Sequence, residues 1–171
     1  MNLLFYFYRV YIMIHRITMS DFIYGGMDGV ITTSAIIAGI IGANISTKYA
    51  LVLGLANLCA DGFSMGISRY NSLVDMNFST KYPLYASIIT FLSFVVMGAI
   101  PFIPFLFISF DNDVLLKQML FLFSFVAFVL IGIIKGFFTK KYFKSMSEVV
   151  IIGSIGIYIS FQISRFVKSQ L

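Results

Sequence analysis

Five long apolar stretches alternate with short polar breaks along the chain. Each stretch approaches the roughly 20 apolar residues that a helix needs to cross the hydrocarbon core of a bilayer. The breaks are rich in Asn, Ser, Gly, Asp and Lys, residues typical of turns and helix ends. The pattern therefore predicts an all-α integral membrane protein whose five transmembrane helices cover residues 22–43, 49–68, 84–108, 115–135 and 147–166.

Two segments depart from this regular pattern. The third stretch contains Pro101 and Pro104, so we expect its outer end to kink or to end early. Residues 1–20 are apolar but too short to span and interrupted by Arg9. They lack the basic start and the cleavage site of a signal peptide, so we interpret them as an amphipathic lead-in or an extension of the first helix. Met19 is an alternative start, and residues 21–171 form the five-span domain.

Composition excludes a water-soluble chain. The 171 residues are 60% hydrophobic and 11% charged, whereas soluble domains are about 25% charged. Such a chain cannot cover a water-facing surface, so lipid is its predicted solvent. The net charge of +5 is spread over short loops and favours orientation in a bilayer over a nucleic-acid partner. Three of the basic residues, Lys140, Lys141 and Lys144, are expected to contact anionic lipid.

The basic residues also predict an orientation. Alternating loops divide them eight to four, and the richer side is expected to be cytoplasmic. The N-terminus is then cytoplasmic and the C-terminus lies on the opposite side, in a vacuolar, other internal or plasma membrane. The richer side holds Arg9, Arg16, Arg69, Lys81, Lys135, Lys140, Lys141 and Lys144, and the other holds Lys48, Lys117, Arg165 and Lys168.

Two aspartates lie within apolar spans. Asp28 is in the first span and Asp61 in the second, far from any break. A carboxylate at such depth costs about 2.5–3.5 kcal/mol on insertion scales, and it usually faces the bundle interior or a water-filled path. Two protonated aspartates held by neighbouring helices would be the purely structural alternative. The functional interpretation is the default for acids in a membrane.

A helical hairpin would bring further ligands to these acids. If the first two spans turn near residue 46, Asp28 lies at the depth of Met65 on the facing helix. The side chains of Asn57, Asp61 and Met65 are four residues apart and share one face. Asp21 precedes Asp28 by two turns, about 10 Å along the axis. These five residues form a candidate metal site with an acidic mouth.

The donor types indicate which metal would suit. Carboxylate and amide oxygens with one thioether sulfur favour a borderline divalent ion such as Fe²⁺ over Mg²⁺ or Ca²⁺, which take all-oxygen shells. Met65 alone is weak evidence, because Met in a span usually fills packing gaps. Its predicted level with Asp28 is what makes it a candidate ligand.

Pairs of glycines four residues apart flank both acids. Gly25 and Gly29 surround Asp28, and Gly62 and Gly66 follow Asp61. Such strips allow close approach of another helix. A third pair has no nearby acid and predicts packing only; it consists of Gly132 and Gly136.

Two blocks carrying these residues resemble the vacuolar iron transporter family. The blocks are DFIYGGMDGVITTSAIIAGIIGA (Asp21 to Ala43) and LGLANLCADGFSMGISRY (Leu53 to Tyr70). Weaker similarity occurs in FLSFVVMGAIPFIPF, LIGIIKGFF and IIGSIGIYI. The likeness covers about residues 20–168, in order and with five spans.

The resemblance implies a homodimer whose first spans meet at the two-fold axis and line the ion path. It implies export of Fe²⁺, with Mn²⁺ as a second substrate, from the cytosol in exchange for protons. Asp28 and Met65 would be the central ligands and Asp21 would lie at the cytoplasmic entrance. Many members insert a Glu-rich cytoplasmic domain after the second span. Here residues 69–83 hold one acid, Asp75, which is similar to the short, nodulin-like branch.

Three functions remain open at this stage. Exchange of metal for protons leads, because one carboxylate can bind either cation and competition would couple the fluxes. A passive cation channel and a non-transporting membrane scaffold are the alternatives. No enzyme is predicted, since the chain has no metalloprotease, nucleophile-elbow or phosphate-loop motif. The only histidine, His15, is interpreted as interfacial, and no cofactor is predicted beyond the metal as transported substrate.

Overall fold

The chain folds into five long helices. The computed structural model describes the backbone of residues 3–78 and 81–171, and side chains from Thr18 onward. In these residues every regular element is helical, and five helices are long and apolar enough to cross a membrane, which confirms the predicted number of spans. They are α1 (Leu3–Gly42), α2 (Lys48–Asp75), α3 (Lys81–Ala99), α4 (Asp113–Thr139) and α5 (Tyr142–Gln170), with a 3₁₀ helix (Ile100–Leu106) after α3.

Helix α1 runs through the predicted lead-in without a break. Its backbone is helical from Leu3 to Gly42, across the expected domain boundary at residue 20. The side chains before Thr18 lie outside the described residues. The predictions for Arg9, His15 and Arg16 therefore concern side chains that the structure does not describe.

Three helices end later than the sequence pattern predicted, and α5, which ends at Gln170 instead of 166, is one of them. Helix α2 continues past Arg69 to Asp75, where Asn77 adopts φ 62° and the amide of Phe78 donates to the carbonyl of Leu73 at 3.2 Å. This is a left-handed helix stop. Helix α4 continues to Thr139. Charged residues mark the end of an apolar run but not of a helix, because long basic side chains can reach the interface from the last turns.

The prolines end the third span as expected. Helix α3 stops at Ala99, and residues Ile100–Leu106 continue as a 3₁₀ helix that contains Pro101 and Pro104. Each proline lacks an N–H donor and clashes with the preceding turn, so the α-helical ladder cannot continue through them. The prediction that this span ends early is confirmed.

Helix α3 lies between α1 and α2. A methyl group on Gly25 or Gly29 would collide with the carbonyl oxygen of Thr90 or Phe94 on α3. On the other side, Gly62 and Gly66 lie against α3 through Phe91. Both glycine strips therefore allow close approach, as predicted, and their common partner is α3.

The remaining helices cover the other sides of α1. Helix α5 packs against α1 and α4, and the glycines at 132 and 136 bring α4 close to the backbone of Met146 and Tyr142. That third strip thus serves packing, as predicted. One core cluster joins α1 to α3, α4 and α5 through side chains that are almost fully buried: Val30, Met97, Ala127, Phe128, Ile131 and Val149.

Candidate functional site

One face of α1 is left open between α2 and α5. Tyr24 is 64% exposed, and Asp28, Thr32, Ala35 and Gly39 are half-buried. Their spacing of three or four residues places them on one side of the helix. The predicted central ligand Asp28 therefore lies on a face of α1 that its own chain leaves partly uncovered between Tyr24 and Gly39.

A first cavity lies beside the N-terminal half of this face. Its volume is about 500 Å³. We call it the Arg69 cavity; it is lined by Ser20, Asp21, Tyr24, Ser64, Met65, Ser68, Arg69 and Ser72. It lies between α1 and α2, and both Tyr24 and Ser68, which the hairpin register predicts at one depth, line it. The predicted ligand Met65 is among its lining residues.

A second cavity follows the other half of the same face. Its volume is about 590 Å³. We call it the Asn57 cavity; it is lined by Ile31, Thr32, Ala35, Ile36, Gly39, Ile40, Ala43, Ile45, Asn57, Asp61, Ser160 and Ser164. The two serines come from α5, where Ser160 donates a hydrogen bond to the carbonyl oxygen of Ala35 at 2.6 Å. Asp28 lies on α1 between the residues that line the two cavities.

Two acids and an amide meet at the middle of the α1–α2 seam. Asp28 lies close enough to Asp61 for the two carboxylates to repel each other. Asn57 donates from its Nδ2 atom to Oδ2 of Asp61 at 2.6 Å, one turn along α2. This hydrogen bond holds one carboxylate oxygen of Asp61. Two acids that repel each other in an apolar setting favour binding of a shared cation.

The acidic mouth contains an ion pair rather than a free acid. Oδ1 of Asp21 lies 2.6 Å from a terminal nitrogen of Arg69, and Asp21 is only 3% exposed. The phenol of Tyr82 on α3 lies near both charges. Three buried atoms of this group have no protein hydrogen-bond partner among the described residues: Asp21 Oδ2, Arg69 Nε and Tyr82 Oη.

The five predicted site residues follow one seam but do not close around one point. Met65 and Asp21 border the Arg69 cavity, Asp61 and Asn57 border the Asn57 cavity, and Asp28 lies between them. In the described part of the chain, no three His, Cys, Asp or Glu side chains are grouped so that they could hold a metal ion.

Sequence reasoning missed Arg69 and Tyr82 as members of the site. Arg69 was interpreted as a loop residue, although it continues the four-residue spacing of Asn57, Asp61 and Met65 by one more step. That spacing was the available signal. Tyr82 on the third helix had none, because no local pattern shows which helix packs beside an ion pair.

These features define a multi-pass α-helical membrane protein with acids along an open seam. The model of the VIT family matches residues 19–80 and 71–165, and the chain belongs to this family. The membership predicted from the two sequence blocks is confirmed. Assignment to the short, nodulin-like branch stays a prediction.

Curated relatives match over a shorter stretch. A "Vacuolar iron transporter" of Toxoplasma gondii is 45% identical over 62 residues, which cover 34% of this chain and 20% of that protein. Proteins with the same name from Plasmodium berghei and Plasmodium falciparum are 43% and 41% identical over 54 residues, 32% of this chain and 20% of each relative. The matched part thus spans a fifth of the relatives' length. No solved structure matches the chain.

Proposed function

We propose that this protein exports a divalent transition metal from the cytosol in exchange for protons. Fe²⁺ is the proposed principal substrate and Mn²⁺ a second one. The path follows the open face of α1, where α1 of a second copy would complete it. Membership of the VIT family and the names of the curated relatives support metal as the substrate.

The open face of α1 is the observation that carries this proposal. Asp28 is half-buried on that face, and the donors on α2 lie beside it along the same seam. A two-fold axis next to α1 would bring each residue of this face near its own copy. Two half-shells would then supply two copies each of Asp28, Asp61 and Met65.

The donor types support the choice of metal. A paired seam offers carboxylate oxygens and thioether sulfur, a mixture that suits Fe²⁺ better than Mg²⁺ or Ca²⁺. Because Asn57 holds one oxygen of Asp61, the other oxygen is left for a cation near Asp28. The site would therefore bind through the two acids and use Met65 to disfavour hard ions.

Proton exchange follows from the same carboxylates. A carboxylate in an apolar path must bind a cation to be stable there, and either a proton or the metal can serve. When metal leaves toward the far side, a proton can replace it and return. The eight-to-four division of basic residues supports the cytosol as the side from which metal enters.

Reconstituted vesicles provide the test. We expect Fe²⁺ and Mn²⁺ gradients to drive metal flux with proton movement in the opposite direction, while Ca²⁺ gives little of either. Asp28→Asn should abolish both fluxes, because the amide cannot carry the negative charge. Asp75→Asn removes an equal charge at the exposed end of α2 and should leave the fluxes unchanged.

Two outcomes would contradict the proposal. Metal flux without opposing proton movement would indicate a passive channel through the same seam. Full flux in Asp28→Asn, with protein amount in the vesicles matched, would mean that the path does not pass this residue.

A further inference from the structure

We propose that Arg69 is a built-in competitor of the metal, a tethered cation that occupies the entry site on Asp21 until a divalent ion displaces it. The inference rests on the proposed function, since it assigns the first binding step of that path. It makes Arg69 a positioning residue that sets the metal concentration at which loading begins.

The ion pair has the geometry of a site that is only half used. Oδ1 of Asp21 accepts from Arg69 at 2.6 Å, whereas Oδ2 is buried and has no protein hydrogen-bond partner in the described ranges. An unpaired carboxylate oxygen that is buried carries a desolvation cost. A cation that reached Oδ2 would remove this cost. Oδ2 is therefore the oxygen at which an entering cation would first bind, before Arg69 leaves Oδ1.

Tyr82 adds a neutral oxygen at the same place. Its hydroxyl is buried, lacks a protein partner among the described residues and lies near both Asp21 and Arg69. A hydroxyl oxygen can act as a neutral ligand or bond to a water that a metal carries. Helices α1, α2 and α3 thus each contribute one polar group to this point: an acid, a guanidinium and a phenol.

Arg69 has room to leave Asp21. Its side chain is 25% exposed, against 4% for that of Asp21, and it borders the cavity of about 500 Å³. Ser64, Ser68 and Ser72 line this cavity at four-residue spacing along α2. Their hydroxyl groups can accept hydrogen bonds from a displaced guanidinium. The guanidinium and a divalent ion repel each other at short range, so both cannot remain on Asp21.

The alternative is a purely structural ion pair that joins α1 to α2. Such a pair would affect folding when broken but would not regulate metal binding through Asp21. Binding of Mn²⁺ to the full chain in detergent separates the two, because free Mn²⁺ is measured directly by electron paramagnetic resonance. This measurement requires no transport.

Arg69→Gln is the main variant. We expect it to bind Mn²⁺ about tenfold more tightly than the unmodified chain, a change of about 1.4 kcal/mol. In an Asp21→Asn background, adding Arg69→Gln should change the affinity for Mn²⁺ less than about twofold, since the carboxylate for which Arg69 and the metal compete is absent. Lys135→Gln is the matched control, because it breaks a 3.0 Å ion pair with Glu148 and removes the same charge outside both cavities. It should bind as the unmodified chain does.

A conservative variant covers the case in which Arg69→Gln does not fold. Arg69→Lys keeps the charge but loses the planar arrangement of guanidinium N–H donors, so its ion pair with Asp21 is weaker. We expect a smaller tightening, about threefold.

Unchanged or weaker Mn²⁺ binding in both Arg69 variants would overturn the proposal. It would also be overturned if Arg69→Gln still tightened Mn²⁺ binding in the Asp21→Asn background, or if none of the variants bound Mn²⁺. If binding tightens as expected but vesicles show no metal flux, the proposed function fails and the competition stands. If flux is normal and binding does not tighten, only the competition fails.

Discussion

Close contact between α1 and α3 holds Asp28 in place, and Gly29→Ala tests it. A Cβ atom on Gly29 would lie 2.9 Å from the carbonyl carbon of Phe94 and 3.0 Å from its Cα, and nearer still to the carbonyl oxygen. These are backbone atoms of α3, which cannot rotate away, so the two helices must separate. Overpacking of this kind costs about 1–3 kcal/mol.

The helical preference of alanine offsets part of this cost. Replacing glycine by alanine inside a helix contributes up to about 1 kcal/mol of stability, so with this gain in full the net loss for Gly29→Ala is up to about 2 kcal/mol. Gly156→Ala on α5 is the matched control, because the nearest atom to its Cβ, Cγ2 of Ile31, is 3.5 Å away. It should gain stability of up to about 1 kcal/mol.

Thermal unfolding of the purified chain in detergent measures the difference. The helical gain is common to both variants, so they differ by the overpacking cost of about 1–3 kcal/mol. At about 2–4 °C for each kcal/mol in a chain of this size, this is roughly 2–12 °C, with Gly29→Ala the lower. Gly29→Ala should also transport metal more slowly, since Asp28 is its neighbour. Equal melting temperatures, or a more stable Gly29→Ala, would refute the close contact of α1 with α3.

Three smaller changes test other contacts. Asn57→Leu removes the amide that donates to Asp61 at 2.6 Å. The metal concentration for half-maximal flux should rise about tenfold, because one hydrogen bond to a charged group is lost. An unchanged concentration would contradict a role of Asn57 in orienting Asp61. Thr47→Val removes the 3.2 Å hydrogen bond to Asp113 and should lower stability by about 1 kcal/mol in the same melting assay; no loss would mean that this bond is dispensable. Cys59 is exposed in the middle of α2, so a charged thiol reagent should not label it in intact vesicles but should label it once the protein is denatured in detergent; labelling in intact vesicles would show water at this depth.

The course of the spans could be predicted because lipid imposes strict rules. Every backbone polar group must be paired within its own helix, so an apolar run of sufficient length implies a span. The early end of α3 followed from the missing N–H groups of Pro101 and Pro104. The hairpin register followed from helix geometry alone, and the contact of Asp21 with Arg69 agrees with it.

The neighbours of each helix could not be predicted in the same way. Helical spacing shows which residues share a face, but not which helix will cover it. Gly29 and Gly62 were correctly identified as points of close approach, yet only the fold shows that α3 lies against both. Ser160 on α5 had no signal for its hydrogen bond to Ala35, since 125 residues separate the two.

The sequence predicted which residues belong to the candidate site better than it predicted how they are arranged. Asp28 and Asp61 were identified by their cost in lipid, and their proximity agrees with the expected register. Asp21 was expected at the acidic mouth of the site with no partner named, and the structure pairs it with Arg69. That pairing depends on α2 remaining helical beyond its apolar run, which hydropathy does not report.

The central claim is that two copies of Asp28 serve one path. Mixed assembly of unmodified and Asp28→Asn chains tests it most directly, with metal flux measured in vesicles that contain equal amounts of both. If the path is shared across a two-fold axis, only assemblies with two unmodified chains conduct, and flux should fall to about a quarter. Flux of about half would contradict the account, because each chain would then carry metal through a path of its own.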